Sequence, residues 1–162
     1  MIIRKAQRSE VPEMREIFNE VLRNSNSIYR EEEVTLEERY AWFDEKIEHG
    51  FPIFGAYEGD KLIGYAGYGS WRAAQGYRKT VELTIYVDSS VRGKGTGKAL
   101  MQTIINQATA DGYHVMIGAI DSANQSSIDF HKKFGFVETA RMPEVALKNG
   151  QWLDLVFMQL KL

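Results

Sequence analysis

Residues 80–110 read TVELTIYVDSSVRGKGTGKALMQTIINQATA, and this stretch decides the class of fold. In Thr80–Val87 the apolar Val81, Leu83, Ile85 and Val87 alternate with Glu82, Thr84 and Tyr86, the two-residue period of a strand. Lys98–Ala110 carries Leu100, Met101, Ile104, Ile105 and Ala108 at the spacing of one helical face. Between them Ser89–Gly97 is turn-rich and runs into Arg92-Gly93-Lys94-Gly95-Thr96-Gly97-Lys98. A glycine-rich turn between strand and helix aims backbone N–H groups at one point, and the helix N-terminus adds its positive end, so the concavity suits a phosphate. Glycine here could serve only to turn the chain. Three alternating glycines with three basic residues before a helix favour the anion site. The spacing is not that of a nucleotide-binding P-loop, since Arg92 stands where its first glycine belongs and Ala99 where its hydroxyl belongs. Nor is it the dinucleotide fingerprint, whose last glycine would fall on Lys98 or Leu100.

Working outward, Ile2–Lys5 reads as a short strand. Ser9 is placed to cap a helix bearing Val11, Met14, Ile17, Phe18, Val21 and Leu22. Asn24–Glu33 is polar and aperiodic. Thr35 with Glu38 forms a capping-box signature for a helix striped by Leu36, Tyr40, Phe43 and Ile47, which Gly50 ends. Pro52–Tyr57 and Leu62–Tyr68 read as strands joined at Glu58-Gly59-Asp60. After the glycine loop and its helix come a strand at Val115–Ile120, a short helix at Gln125–Phe134 stopped by Gly135, and a closing hairpin of Phe136–Met142 and Trp152–Leu160 around Lys148-Asn149-Gly150-Gln151. The order predicts an α/β fold, a mixed and mostly antiparallel central sheet flanked by helices, with residues 1–162 forming a single domain.

Composition narrows the function. The chain has 162 residues, 44% of them hydrophobic and 26% charged, an ordinary globular mixture. Its 20 Lys and Arg against 22 Asp and Glu leave a net charge of -2, which disfavours nucleic acid as the partner. No apolar run is long enough to span a bilayer, and MIIRKAQRSE lacks the apolar stretch of a secretory signal, so a cytoplasmic protein is expected. Without cysteine there is no thiol nucleophile and no thiolate metal site, and His49, His114 and His131 lack ligand spacing, so no metal is expected.

Arg92-x-x-Gly95-x-Gly97 followed by Asn124-x-x-Ser127 and His131-x-x-x-Gly135-Phe136 resembles the paired signatures of the GNAT N-acetyltransferase superfamily, and the order of elements matches over nearly the whole chain. Gly69-x-Trp71-Arg72, Gly76-Tyr77-Arg78-x-Thr80-Val81-Glu82, Met142-Pro143-x-Val145 and Gly150-x-Trp152-Leu153-Asp154-Leu155 are similar to its phosphinothricin and methionine sulfoximine acetyltransferase branch. The resemblance implies that the glycine loop, Arg92, Gly93, Lys94, Gly95, Thr96, Gly97 and Lys98, holds the pyrophosphate of acetyl-CoA, with Lys133 adding charge. It implies that Ile85, Tyr86 and Val87 bond the pantetheine arm in a gap opening beside Val115–Ile120. Asn124 matches the asparagine that contacts that arm or nearby backbone.

Acetyl transfer to an amine needs a proton acceptor, because alkylamines are mostly protonated at neutral pH. Glu82, polar on an otherwise apolar strand, is the candidate, acting directly or through water; the plainer alternative is a carboxylate facing solvent. His131 replaces the superfamily's usual tyrosine and is either a proton donor to the leaving thiolate or a packed, hydrogen-bonded ring. The branch places the acceptor among Trp71, Arg72, Ala73 and Ala74, with Glu82, Leu83 and Thr84 opposite, and Arg72 suited to a carboxylate. Ala73-Ala74 is smaller than the branch pattern, and Leu83 stands at a commonly polar position. The expected activity is therefore acetyl transfer from acetyl-CoA to the α-amino group of a small amino acid or analogue. A protein N-terminus or lysine as acceptor, or a silent acetyl-CoA-binding module, are the alternatives. A homodimer using the hairpin around Trp152 is implied by the branch.

Overall fold

The computed structural model describes residues 1–162. Seven strands form one sheet: β1 (Ile2–Lys5), β2 (Ile53–Glu58), β3 (Lys61–Ser70), β4 (Thr80–Val87), β5 (Val115–Asp121), β6 (Val137–Lys148) and β7 (Gln151–Lys161), in the order β1-β2-β3-β4-β5-β7-β6. Every neighbouring pair is antiparallel except β4 and β5. Helices α1 (Val11–Asn24) and α2 (Leu36–Glu48) cover one face, and α3 (Thr96–Ala110) and α4 (Gln125–Lys132) belong to the other. None is long and apolar enough to cross a membrane.

The strand period sorts the core into two layers. Val81 and Leu83 pack with Leu100, Met101 and Ile104 of α3, while Ile53, Leu62 and Tyr65 pack with Val11, Met14, Ile17 and Phe43 of α1 and α2. Glu82, Thr84 and Tyr86 therefore face the α1–α2 side. The β4–β5 pairing has only three rungs, Thr80↔Val115, Val81↔Met116 and Glu82↔Ile117, and then stops. β5 stays paired to β7 along its whole length, from Val115↔Lys161 to Asp121↔Leu155. A fork opens just beyond Glu82, as the resemblance implied.

Some boundaries fall elsewhere than the sequence suggests. Ser9 does not cap α1: a 3-10 turn at Arg8–Glu10 precedes the helix, and the Gln7 N–H donates to Glu10 Oε2 at 2.7 Å. Thr35 does cap α2, accepting from the Glu38 N–H at 3.1 Å. Helix α3 starts at Thr96, two residues early, because Gly95 at φ +83° is its cap and Gly97 is already helical. Helix α4 stops at Lys132 rather than Phe134. Strand β6 does not end at Met142, where a proline would remove a ladder donor. A bulge between Met142 and Ala146 absorbs Pro143, with Glu144 at φ +52° and its N–H donating to Asp154 Oδ1 at 2.8 Å. Asn149 and Gly150 then turn the hairpin with positive φ at both positions, 50° and 75°.

One long-range clamp holds the α1–α2 connection. Lys148, 2% exposed, points its ammonium at three carbonyls, donating to Leu22 O and Ser25 O at 2.9 Å and Ile28 O at 2.8 Å. The Asn149 N–H adds a bond to Glu31 Oε1. Removing the ammonium would orphan these carbonyls, each worth about 1–3 kcal/mol when buried. Lys148→Met should lower unfolding stability by about 2–4 kcal/mol in urea titrations, while the surface change Lys132→Met should move it by less than about 0.5 kcal/mol.

Candidate active site

The fork carries the largest cleft, about 810 Å³. Its floor is Ile85–Val87, one wall is the glycine loop from Val91 into α3, the other is Asp121–Ser127 with Phe130, and Ser25–Ser27 form its rim. Asp88 caps the 3-10 turn at Ser89–Val91 by accepting from the Ser90 N–H at 2.9 Å, which brings the chain round into the loop. Gly93 and Gly95 both sit at φ +83°, where an L side chain is strained, and a Cβ at either would point into open space. The six consecutive backbone N–H groups of Gly93–Lys98 have no acceptor within the protein. Thr96 Oγ1 is buried without a partner. Arg92 and Lys98 border the same space. Free donors, an unpaired hydroxyl and two cations at a helix N-terminus fit a diphosphate.

A chamber of about 370 Å³ continues inward from this cleft, sharing Ser27, Ile85, Tyr86, Asp121, Asn124 and Ser127 with it and adding Glu82, Leu83, Thr84 and His131. Asn124 stands at the junction as the N-cap of α4, its Oδ1 accepting from the Ser127 N–H at 3.2 Å. Burial pushes the Glu82 carboxyl above the usual carboxylate range, and the positive charge of Lys46 offsets part of that. A carboxylate so placed is a stronger proton acceptor than a solvated one.

His131 is 3% exposed, edge-on to Phe130 and Phe136, and its Nε2 lies 2.9 Å from the place where a Cβ on Gly118 would be. Only a glycine leaves room for the ring. Its Nδ1 lies 2.7 Å from the Ser127 carbonyl, which can only accept, so Nδ1 carries the hydrogen and the neutral ring presents a lone pair at Nε2. Burial lowers its pKa. Of the two readings the sequence offers, the placement matches the packed, hydrogen-bonded ring, and its free Nε2 is an acceptor.

The remaining expected residues divide. Lys94 leans toward Glu58, Nζ to Oε1 at 3.9 Å, and Lys133, the C-cap of α4, borders neither cavity. Trp71 stands edge-on to Phe157, ring centroids 5.0 Å apart. Arg72, Ala73 and Ala74 line a separate pocket of about 160 Å³ with Tyr77, Thr80 and Tyr113, and Arg72 lies 5.9 Å from the Tyr77 ring centre. The chain thus does not bring Arg72–Ala74 into one cavity with Glu82, Leu83 and Thr84. Sequence reasoning missed Asp121, Tyr29 and Lys46. Tyr29 donates to Asp121 Oδ1 at 2.6 Å, and both line the inner chamber. Asp121, ending an apolar strand as Glu82 interrupts one, had a readable signal; Tyr29 and Lys46 had none.

Comparison with known proteins agrees with this geometry. Residues 11–136 match the model of the acetyltransferase (GNAT) family. An L-methionine sulfoximine/L-methionine sulfone acetyltransferase from Pseudomonas paraeruginosa is 44% identical over 99% of this chain and 94% of its own. A ribosomal-protein-alanine N-acetyltransferase from Brucella melitensis superposes with a TM-score of 0.98 at 37% identity, covering 100% of both chains. A phosphinothricin acetyltransferase from Sinorhizobium meliloti, solved with acetyl-CoA, gives 0.95 at 34% identity over 99% of this chain and 88% of that one.

The buried His131 also predicts a pH dependence. Its native pKa lies below the unfolded value near 6.5, so its contribution to stability is complete above about pH 6.5 and is lost as pH falls through that value toward the native pKa. Melting temperature should fall as pH drops below about 6.5, and His131→Gln should flatten that part of the curve in thermal unfolding followed by circular dichroism.

Proposed function

The chain belongs to the GNAT acetyltransferase family, and from that premise we propose that it moves the acetyl group of acetyl-CoA to the α-amino group of a small amino acid or analogue of the methionine sulfoximine or phosphinothricin kind. The observation that carries this reading is continuity: a cleft lined with free amides opens at the fork into a chamber holding Glu82. The phosphates of acetyl-CoA would sit on Gly93–Lys98 with Arg92 and Lys98. Its pantetheine arm would follow the unpaired edge of Ile85–Val87 past Asn124, which presents the thioester beside Glu82. In that position Glu82 takes the proton from the acceptor's ammonium, directly or through water, and the freed nitrogen attacks the thioester carbon. The C–N bond forms, the C–S bond breaks and coenzyme A leaves as thiolate, which takes up the second nitrogen proton directly or through water. With a thiol pKa near 8.5 that departure needs no obligatory acid, which suits a neutral His131 acting as hydrogen-bond acceptor. A cysteine-free chain transfers the group without a cysteine acyl-enzyme.

A chamber of about 370 Å³ is on the scale of a free amino acid rather than of a polypeptide end. The Brucella neighbour's name favours one competing acceptor, an N-terminal alanine. We extend the reading to one acetyltransferase domain over residues 1–162, working in the cytoplasm. A homodimer is supported by Val137, Leu147 and Trp152, each more than half exposed on the terminal hairpin.

Thiol release from acetyl-CoA, measured across methionine sulfoximine, methionine sulfone, phosphinothricin and an alanine-ended peptide, tests the acceptor. Turnover should be at least tenfold higher on a free analogue; preference for the peptide would replace the reading with the competing one. Glu82→Gln should lower kcat by about 100-fold or more while acetyl-CoA affinity stays within about twofold. By deleting a half-buried charge whose pKa is raised, it should also raise the melting temperature at pH 7.

A further inference from the structure

Gly69 lies directly opposite Glu82 in the antiparallel β3–β4 pair. Side chains at such positions are close neighbours, with Cβ atoms about 4.5–5.5 Å apart. Gly69 has no side chain, and a Cβ built on it would collide with Lys46 Nζ. The ammonium reaches this place from α2, donates to the Tyr68 carbonyl at 3.2 Å and lies 5.6 Å from the centre of the Phe51 ring. Lys46, Gly69, Glu82 and Thr84 line one cleft of about 280 Å³ on the α2 side of the sheet, which shares Glu82 and Thr84 with the chamber already described.

We propose that Lys46 is a positioning residue that serves as the counter-charge of Glu82, its ammonium standing in the cross-strand place that Gly69 leaves empty. The proposal rests on the reading of Glu82 as the proton acceptor and adds what keeps that carboxyl ionised. A half-buried glutamate without a cation drifts toward its protonated form and can no longer take a proton. The other charged and titratable groups around Glu82 do not supply that charge. From α2, Glu45 and His49 share the cleft. Arg39 is committed elsewhere, donating to Tyr65 Oη at 2.6 Å with its guanidinium 3.7 Å from the centre of the Trp42 ring. Tyr86 lies four residues on along β4, and Tyr29, Asp121 and a neutral His131 line the chamber that Glu82 also borders. Lys46 is the cation that acts on Glu82, and the Tyr68 carbonyl keeps it from swinging into solvent.

Two variants attack the pair from opposite sides. Lys46→Met removes the charge; Gly69→Ala leaves the lysine but evicts its ammonium. In pH profiles of kcat, both should move the acid limb upward by about one pH unit or more, with acceptor KM changed less than about threefold. A carbon-13 titration of glutamate carboxyls, with Glu82 identified by its loss in Glu82→Gln, should show the same upward shift without relying on turnover. A tenfold rise in acceptor KM with an unmoved acid limb would make Lys46 a substrate contact and overturn the proposal, as would an unmoved Glu82 titration in both variants. Full activity of Glu82→Gln would instead remove the reading of Glu82 as proton acceptor, and the carboxyl titration would still report whether Lys46 sets its charge. If one variant fails to fold by circular dichroism, the other decides.

Discussion

The parting of β4 from β5 after Glu82↔Ile117 is the constraint on which the site depends. A fully zipped parallel pair would spend the backbone groups of Leu83–Val87 on β5 and leave no edge for a ligand. Because β4 stays fully paired with β3, and β5 with β7, the opening costs only the rungs between them. The two segments that leave the fork then face each other: the glycine loop into α3 after β4, and Asp121 into α4 after β5. Cleft, chamber and candidate proton acceptor follow from this one divergence.

Charge is placed with the same economy. A net charge of -2 over 162 residues conceals a local arrangement in which Arg92, Lys98 and free amides gather at the outer end of the fork and a half-buried carboxyl sits at the inner end. Burial makes the interactions of the inner carboxyl stronger than they would be in water, and it also makes errors there expensive. The aromatic packing that keeps His131 neutral is an instance: the ring holds its orientation through Ser127, and Gly118 supplies its seat.

Much of this was legible along the chain because strand and helix periods are local. The alternation in Thr80–Val87 already put Glu82 on the opposite face from Val81 and Leu83, and the glycine triplet before an apolar helical stripe marked the anion cradle. What escaped was carried by the far ends of long side chains. Lys46 and Lys148 read as ordinary surface lysines of a helix and a turn, yet both ammonium groups end on backbone carbonyls of other segments. Lys94 keeps its backbone N–H in the free run of the glycine loop, while its exposed side chain leans toward Glu58. Pro143 read as the end of a strand because local rules do not foresee a bulge braced by Asp154 from the neighbouring strand. Arg72–Ala74 line a different pocket from Glu82, a separation in space that no local period expresses.

The Lys148 clamp has a consequence in time. The rim of the cleft near Ser25–Ile28 is pinned by a residue 120 to 126 positions later in the chain. Contacts of such high sequence separation are slow to form, since the loop must close before they reward it. On the ribosome, the fork and the glycine loop emerge while this rim still lacks its anchor. A nascent chain stalled before Lys148 would lack both this anchor of the rim and β7, the strand that holds β5 at the fork.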